Sequence, residues 1–257
     1  MKDNPIKNLV RRVCFPNGSV RKIAFGPLRR MHYRVSPITG METWHSAHER
    51  PMQAAFERLV KPGDSVVDVG TNWGGHALHL SRLVGPSGQV LAVEPSPGVA
   101  AEARWHFEAN SGQNIKLLEV ALADAEGKAF FEETHLSTTG HLSSEPRAPS
   151  GKVGVEVAVT TLDRMVNQQR LNRVSLVKVD VEGAESRVLA GAKETLKQHR
   201  PNLIVELHTP EQDLAVSTAL RTLGYTLRRL DGTPIAHPDQ GWPDRDGVWG
   251  MILATPN

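Results

Sequence analysis

The sequence predicts an α/β fold, a mainly parallel sheet with helices on both faces, and three observations predict it. From residue 65 onward, short apolar runs alternate with helical stretches, the pattern of repeated strand–helix–strand units. The run Ser65-Val66-Val67-Asp68-Val69 leads directly into Gly70-Thr71-Asn72-Trp73-Gly74-Gly75, a strand entering a glycine turn that opens a helix. A second run, Gln89-Val90-Leu91-Ala92-Val93, ends in Glu94, 24 positions after Gly70 (94 − 70).

Taken in order, residues 1–45 read as a basic N-terminal extension or cap and residues 46–257 as the α/β domain. The first strand covers 65–69, followed by a helix over 75–83 and a strand over 89–93. Pro97 marks the start of a helix over 97–109, since proline suits the first helical turn. A strand follows over 115–120. Segments 130–132 and 153–160 read as an extra antiparallel pair, the second alternating with period two. A helix over 162–169 precedes a strand over 174–179, Gly183 marks a turn, and one helix is expected over 185–198. A strand over 202–207 is followed by a helix over 210–222, with Gly224 as its C-cap. Segments 225–230 and 248–254 are the closing strands. Residues 134–151 and 231–247, the latter around Trp242, read as long loops able to close on a substrate. For the first of these, a lid and a plain insertion are equally good readings.

Composition narrows the class. A chain of 257 residues fits one domain plus an extension, and no run approaches the ~18 apolar residues of a membrane span. The N-terminus lacks the apolar core of a secretory signal. Cys14 is the sole cysteine, so no intrachain disulfide forms and a reducing compartment fits; the expectation is a cytoplasmic protein without membrane association. Residues 1–34 carry nine basic side chains against Asp3, a balance of +8 that leaves −6 for the rest of a chain whose formal net charge is +2. Such an arm suits an anionic substrate, an acidic partner or a solvated cap. Its aromatics, Phe15, Phe25 and Tyr33, are too scattered to stack on bases, so no nucleic-acid partner is expected. Pro16, Gly18, Gly26 and Pro27 interrupt the amphipathic helix an organelle transit peptide needs. Zinc-binding spacings, a Walker loop and a serine nucleophile elbow are all missing.

The glycine turn and Glu94 together suggest a nucleoside site. A strand running into glycines lets backbone amides approach a ligand, and a carboxylate at the next strand tip is placed to bond a ribose diol. A dinucleotide fingerprint needs glycine where Asn72 stands, and Asp68 would repel a pyrophosphate. S-Adenosylmethionine, carrying a sulfonium and an ammonium, suits Asp68 better. An NAD(P)-dependent oxidoreductase and a ligand-free strand–turn–helix stay as alternatives.

Further segments sharpen this. Val67-Asp68-Val69-Gly70-Thr71-Asn72-Trp73-Gly74, Val93-Glu94-Pro95-Ser96-Pro97, Ala121-Leu122-Ala123-Asp124, Thr160-Thr161-Leu162-Asp163, Val177-Lys178-Val179-Asp180-Val181-Glu182-Gly183-Ala184-Glu185 and Pro201-Asn202-Leu203-Ile204-Val205-Glu206-Leu207-His208 occur in this order. The set resembles the FkbM family of S-adenosylmethionine-dependent methyltransferases across roughly residues 49–210; Thr71 departs from the alanine usual there. The resemblance implies a class I, Rossmann-like, seven-stranded sheet with an antiparallel last strand. It implies O-methylation of a small-molecule acceptor, a sugar or secondary metabolite, with N-methylation left open. Homo-oligomerisation is compatible with it. Cofactor contacts are expected from Asp68, Gly70, Asn72, Gly74, Glu94, Ser96 and Asp180, with Ala121 and Leu122 beside the adenine; the family pattern also suggests Glu49, for which a surface charge is an equal reading.

A hydroxyl is a weak nucleophile until its proton leaves, so a base or a metal is needed. Asp180 and Glu182 lie at one strand end, and Glu206 and His208 share a face at the next. Two versions follow. In one, His208 is the general base, oriented by Asp180 or Glu182. In the other, Asp180, Glu206 and His208 ligate a divalent cation such as Mg2+ that acidifies the hydroxyl. Lys178 is expected simply to pair with Asp180, and His76 and His79 receive no role.

Overall fold

In the computed structural model, the residues described are 13–39, 43, 50–133, 140–143, 154–237 and 250–257. In chain order they form β1 (Val20–Lys22), β2 (His32–Arg34), α1 (Arg50–Leu59), β3 (Ser65–Val69), α2 (Gly75–Val84), β4 (Gln89–Val93), α3 (Pro97–Ala109), β5 (Ile115–Leu118), β6 (Ala121–Leu122), β7 (Gly127–Glu133), β8 (Gly140–Ser143), β9 (Val155–Thr160), α4 (Leu162–Gln168), β10 (Leu176–Val179), α5 (Glu185–Ala190), α6 (Lys193–Gln198), β11 (Asn202–Leu207), α7 (Pro210–Thr222), β12 (Tyr225–Arg228) and β13 (Gly250–Pro256).

The main sheet has seven strands in the order β12-β13-β11-β10-β3-β4-β5. Strands β11, β10, β3, β4 and β5 run parallel, whereas β13 is antiparallel to both of its neighbours. This is the expected architecture, last strand included. Register aligns four tips: Val69 pairs with Val93 and with Val179, and Val179 with Val205. Whatever follows those valines therefore lies along one rim, outside the carboxyl ends of the strands.

The apolar strands are buried on both faces, as parallel sheets require. One face packs Val67, Val177 and Val205 against Met165, Val188, Leu196 and Leu220 of α4–α7. The other packs Val66, Ala92, Leu176 and Ile204 beneath Phe56, Leu78, Leu80 and Phe107 of α1–α3. The second face also receives the β1–β2 hairpin, whose Ile23, Leu28, Met31, Tyr33 and Val35 are buried in it. Polar clamps fix the hairpin to α3. The Asn110 amide accepts from His32 N (2.7 Å) and donates to His32 O (2.8 Å). Arg34 N donates to His106 Nε2 (3.0 Å), which leaves the proton on Nδ1 to reach Glu102 O (2.8 Å). Burial pushes the His106 pKa down to about 4, consistent with this neutral tautomer. Arg34 completes the clamp by pairing with Glu102 and stacking over Trp105.

Three expectations need correction. The strand expected over 115–120 stops at Leu118; β5 is an edge strand, so the chain is free to leave the sheet, and Ala121–Leu122 pairs instead with Val159–Thr160. The antiparallel pair is present as β7 and β9, but it belongs to a four-stranded sheet ordered β6-β9-β7-β8. The helix expected over 185–198 is two helices. Gly191 lies so close to the Ala123 carbonyl that a Cβ would overlap it, and Asp163 caps the second helix by accepting from Glu194 N (3.0 Å) and Thr195 N (2.7 Å). Of the long loops, 140–143 forms β8, and 231–237 are described, with Ile235 buried; 134–139, 144–151 and 238–247, Trp242 included, lie outside the described residues. No helix among the described residues is long and apolar enough to cross a membrane.

The hairpin's integration can be weighed at Tyr33, which is fully buried while its hydroxyl has no hydrogen-bond partner among the described residues. Tyr33→Ala should cost about 3 kcal/mol, lowering the melting temperature by roughly 6–12 °C. Tyr33→Phe should be neutral or stabilising, because it removes an unsatisfied hydroxyl. Calorimetric melting checks both; an indifferent Tyr33→Ala variant would contradict the packing.

Candidate active site at the strand tips

The chain leaves β3 through a turn with two demanding positions. Gly70 has φ +73°, and a Cβ there would overlap the Asp180 carbonyl. Only glycine tolerates both conditions. Gly70 N and Thr71 N both donate to Val93 O at 3.0 Å, tying the turn to the tip of β4. Asn72 is also left-handed, at φ +53°, and its side-chain oxygen accepts from Trp73 N (2.7 Å). Asparagine tolerates that conformation because its side chain bonds locally. Gly74 lies against the Phe107 ring, with no room for a side chain.

Glu94 sits at the next tip, buried and held by two backbone amides. Its Oε2 accepts from Asn72 N (3.1 Å) and its Oε1 from Ser96 N (3.0 Å). Burial pushes its pKa up to about 7, against the pull of those amides and of Lys178; Asp68 adds to the rise. The Ser96 hydroxyl caps α3 by accepting from Val99 N (3.3 Å).

Asp68 is fully buried beneath the turn. It accepts from Thr71 Oγ1 (2.6 Å) and pairs with Lys178 Nζ at 3.3 Å. The expected Lys178–Asp180 pair is present at 3.2 Å, but Lys178 also donates to Gly70 O (2.9 Å). Burial works against the charge on Lys178, yet Asp180, Asp68 and Glu206 outweigh it and hold the ammonium pKa above its ordinary value. Ala121 and Leu122 are buried in β6, one turn beyond the tip of β5. Glu49 lies outside the described residues.

The second half of the rim grows from β10 and β11. Asp180 N donates to Val69 O (3.1 Å), anchoring the tip, and Glu182 (φ +54°) and Gly183 (φ +101°) turn the chain sharply towards α5. That turn brings Glu185 back beneath it: its Oε1 accepts from Gly183 N at 2.8 Å and lies 2.7 Å from His208 Nδ1. The other ring nitrogen, Nε2, faces Asp180 Oδ1 at 3.6 Å and Glu182 Oε2 at 3.5 Å. The structure therefore brings Asp180, Glu182 and His208 together. The residue given no role from the sequence is Glu185, which is fully buried and holds the histidine. Its signal was the spacing Asp180-x-Glu182-x-x-Glu185, in which a turn folds the third carboxylate under the first two.

Burial alone would lower the His208 pKa, but the bond from Glu185 and the charges of Asp180 and Glu182 lift it to about 9. The imidazole is thus a strong base held mostly as its conjugate acid at neutral pH. Glu206, expected among metal ligands, is pushed up to about 7, chiefly by burial and then by Asp180, while Lys178, His208 and His76 pull it down. The carboxylate that comes within 4.8 Å of both Asp180 and His208 to form a metal-compatible group is Glu182, where the sequence suggested Glu206.

Residues 68–227, more than half of the chain, match the family described as the Methyltransferase FkbM domain. The 2-O-methyltransferase NoeI of Sinorhizobium fredii (strain NBRC 101917 / NGR234) is 31% identical over 155 residues, which cover 55% of this chain and 63% of that protein. The hexuronic acid methyltransferase AglP of Haloferax volcanii is 26% identical over 203 residues, covering 76% of this chain and 79% of that protein. The crystal structure of methyltransferase FkbM from Methylobacillus flagellatus KT shares the fold, with a TM-score of 0.50 and 15% identity over 79% of this chain and 50% of that chain. The match thus spans less than two thirds of NoeI and half of the solved chain.

The Glu185–His208 bond has a direct readout. The folded state favours the charged imidazole, so its stabilising contribution is full below the unfolded value near 6.5 and is lost as pH rises through about 9. Titration followed by NMR should place His208 near 9, and Glu185→Gln should lower it by about a unit or more. A parent His208 titrating below 6.5 would contradict the arrangement.

Proposed function

The chain belongs to the FkbM methyltransferase family, and from that premise we propose that it moves a methyl group from S-adenosylmethionine to a hydroxyl of a small polyhydroxylated acceptor, a sugar or similar metabolite. The observation that carries this reading is the juxtaposition of two half-sites on one rim. One is the Gly70–Gly74 turn with the anchored Glu94; the other is His208 amid Asp180, Glu182 and Glu185.

The first half-site fits the donor. With two amides already on Glu94, the carboxylate has lone pairs left for a ribose diol, and the glycines let the turn approach an adenosyl group closely. S-Adenosylmethionine, when bound, would supply an electrophilic methyl that the acceptor oxygen attacks in line, the carbon–sulfur bond breaking to release S-adenosylhomocysteine. In the second half-site, Glu185 fixes the ring so that Nε2 faces the rim. Nε2, when neutral, takes the hydroxyl proton as the oxygen–methyl bond forms, and Asp180 and Glu182 stabilise the imidazolium produced. The same carboxylates can accept hydrogen bonds from neighbouring hydroxyls, which orients a polyol. NoeI supports an oxygen acceptor through its name, a 2-O-methyltransferase, and AglP supports a sugar-acid acceptor through its name, a hexuronic acid methyltransferase.

A second reading has its own observation: ligand atoms of Asp180, Glu182 and His208 lie within 4.8 Å of one another. A divalent cation there would replace the imidazolium proton and acidify the acceptor directly. The exposed Cys14 suits a reducing compartment, so we place the reaction in the cytoplasm.

Calorimetric titration with S-adenosylhomocysteine should show binding, weakened at least tenfold by Glu94→Gln. Because diol donors favour the ionised carboxylate, affinity should fall as pH drops below about 7. Parent-like binding by Glu94→Gln would remove it from the site. Separately, His208→Ala should reduce kcat roughly 10²–10⁴-fold while S-adenosylhomocysteine still binds, and parent kcat should rise between pH 7 and 9 as the ring loses its proton. Activity that survives chelation supports the base; loss restored by Mg2+ transfers the role to a cation.

A further inference from the structure

We propose that Lys178 is a positioning residue, a strut that holds the cofactor turn and the Asp180 carboxylate in a single arrangement. The inference rests on the methyltransferase reading above. Lys178 is 1% exposed, and its ammonium meets three oxygens: Gly70 O at 2.9 Å, Asp180 Oδ2 at 3.2 Å and Asp68 Oδ1 at 3.3 Å. Lys178 donates a hydrogen bond to Gly70 O, and the two carboxylates flank the ammonium as ion pairs, Asp68 Oδ1 without a hydrogen bond of its own among the described residues. The three partners belong to three separate pieces of the rim, namely the body of β3, the turn after it and the tip of β10, with Gly70 lying 108 residues from the lysine.

The consequence for Asp180 is a division of labour between its oxygens. Oδ2 is drawn inward to Lys178, which leaves Oδ1 facing His208 Nε2 at 3.6 Å. The same ammonium holds the Gly70 carbonyl two residues before Asn72, whose backbone N–H anchors Glu94. Lys178 therefore links the diol-binding carboxylate to the proton-accepting histidine without touching either. Its function is not fulfilled by simply neutralising Asp68, a role any buried pair of opposite charges could fill.

That difference is testable. Lys178→Met alone strands Asp68 in the interior and is expected to destabilise the fold strongly. The paired variant D68N/K178M removes both charges and keeps comparable volume. It should melt cooperatively, bind S-adenosylhomocysteine at least tenfold more weakly than the parent, and lose at least a hundredfold in kcat at saturating donor. A folded D68N/K178M enzyme with parent-like affinity and kcat would overturn the strut and leave Lys178 a plain counter-ion. A crystal structure of the parent with S-adenosylhomocysteine decides the matter even if the paired variant does not fold. Lys178 Nζ should remain on Gly70 O and Asp180; an ammonium turned onto the homocysteine carboxylate would overturn the proposal. Failure of the parent to bind S-adenosylhomocysteine at all takes down the methyltransferase reading and this inference with it. Parent binding with an indifferent paired variant takes down only the strut.

Discussion

The close approach of Gly70 to the Asp180 carbonyl is the constraint on which the rest of the site depends. Two neighbouring parallel strands end at the same level, and their continuing chains must pass each other without side chains between them. Glycine with a left-handed φ permits that passage. Once it is made, the turn after β3 reaches over to β4 and the Asp180 turn reaches towards β11. Both loops of the candidate site thus take their positions from one backbone contact between strand ends.

Electrostatics at the rim follow from crowding carboxylates around few cations. Asp68, Glu94, Asp180, Glu182, Glu185 and Glu206 share the neighbourhood of Lys178 and His208. The outcome differs from group to group. Glu94 and Glu206 are driven towards neutrality by burial, whereas His208 is driven towards charge by its three acidic neighbours. The rim is consequently more hospitable to positive charge and to hydrogen-bond donors than to an anionic group. The β1–β2 hairpin, which carries Arg21, Lys22, Arg29, Arg30 and Arg34, is clamped on α3.

Much of this was legible because the main sheet is built from short apolar runs separated by strong punctuation. Pro97, Gly183 and Gly224 mark boundaries through local conformational preference, and local preference is what sequence patterns report. The rim residues Glu94, Asp180 and His208 were readable for the same reason, since each directly follows a strand end, while Asp68 stands one residue inside the end of β3 and Glu182 two residues past Asp180. What escaped depends on contacts distant in sequence. The break between α5 and α6 is imposed by the Ala123 backbone and the Asp163 cap. The early end of β5 depends on a partner strand some forty residues later, β9. Glu185 looked like an ordinary first-turn helix charge, and its burial under His208 emerges only when the Glu182–Gly183 turn is in place. The three partners of Lys178 were likewise beyond a pattern that sees only its own strand; the pairing with Asp180, two residues away, was visible, and those with Asp68 and Gly70 were not.

The most direct test of the backbone contact at the centre of this account is the affinity of Gly70→Ala for S-adenosylhomocysteine, measured by calorimetry beside the variant's melting curve. The added methyl must displace either the Asp180 carbonyl or the turn, so binding should fall below detection at concentrations that saturate the parent. A Gly70→Ala protein that binds with parental affinity would contradict the account.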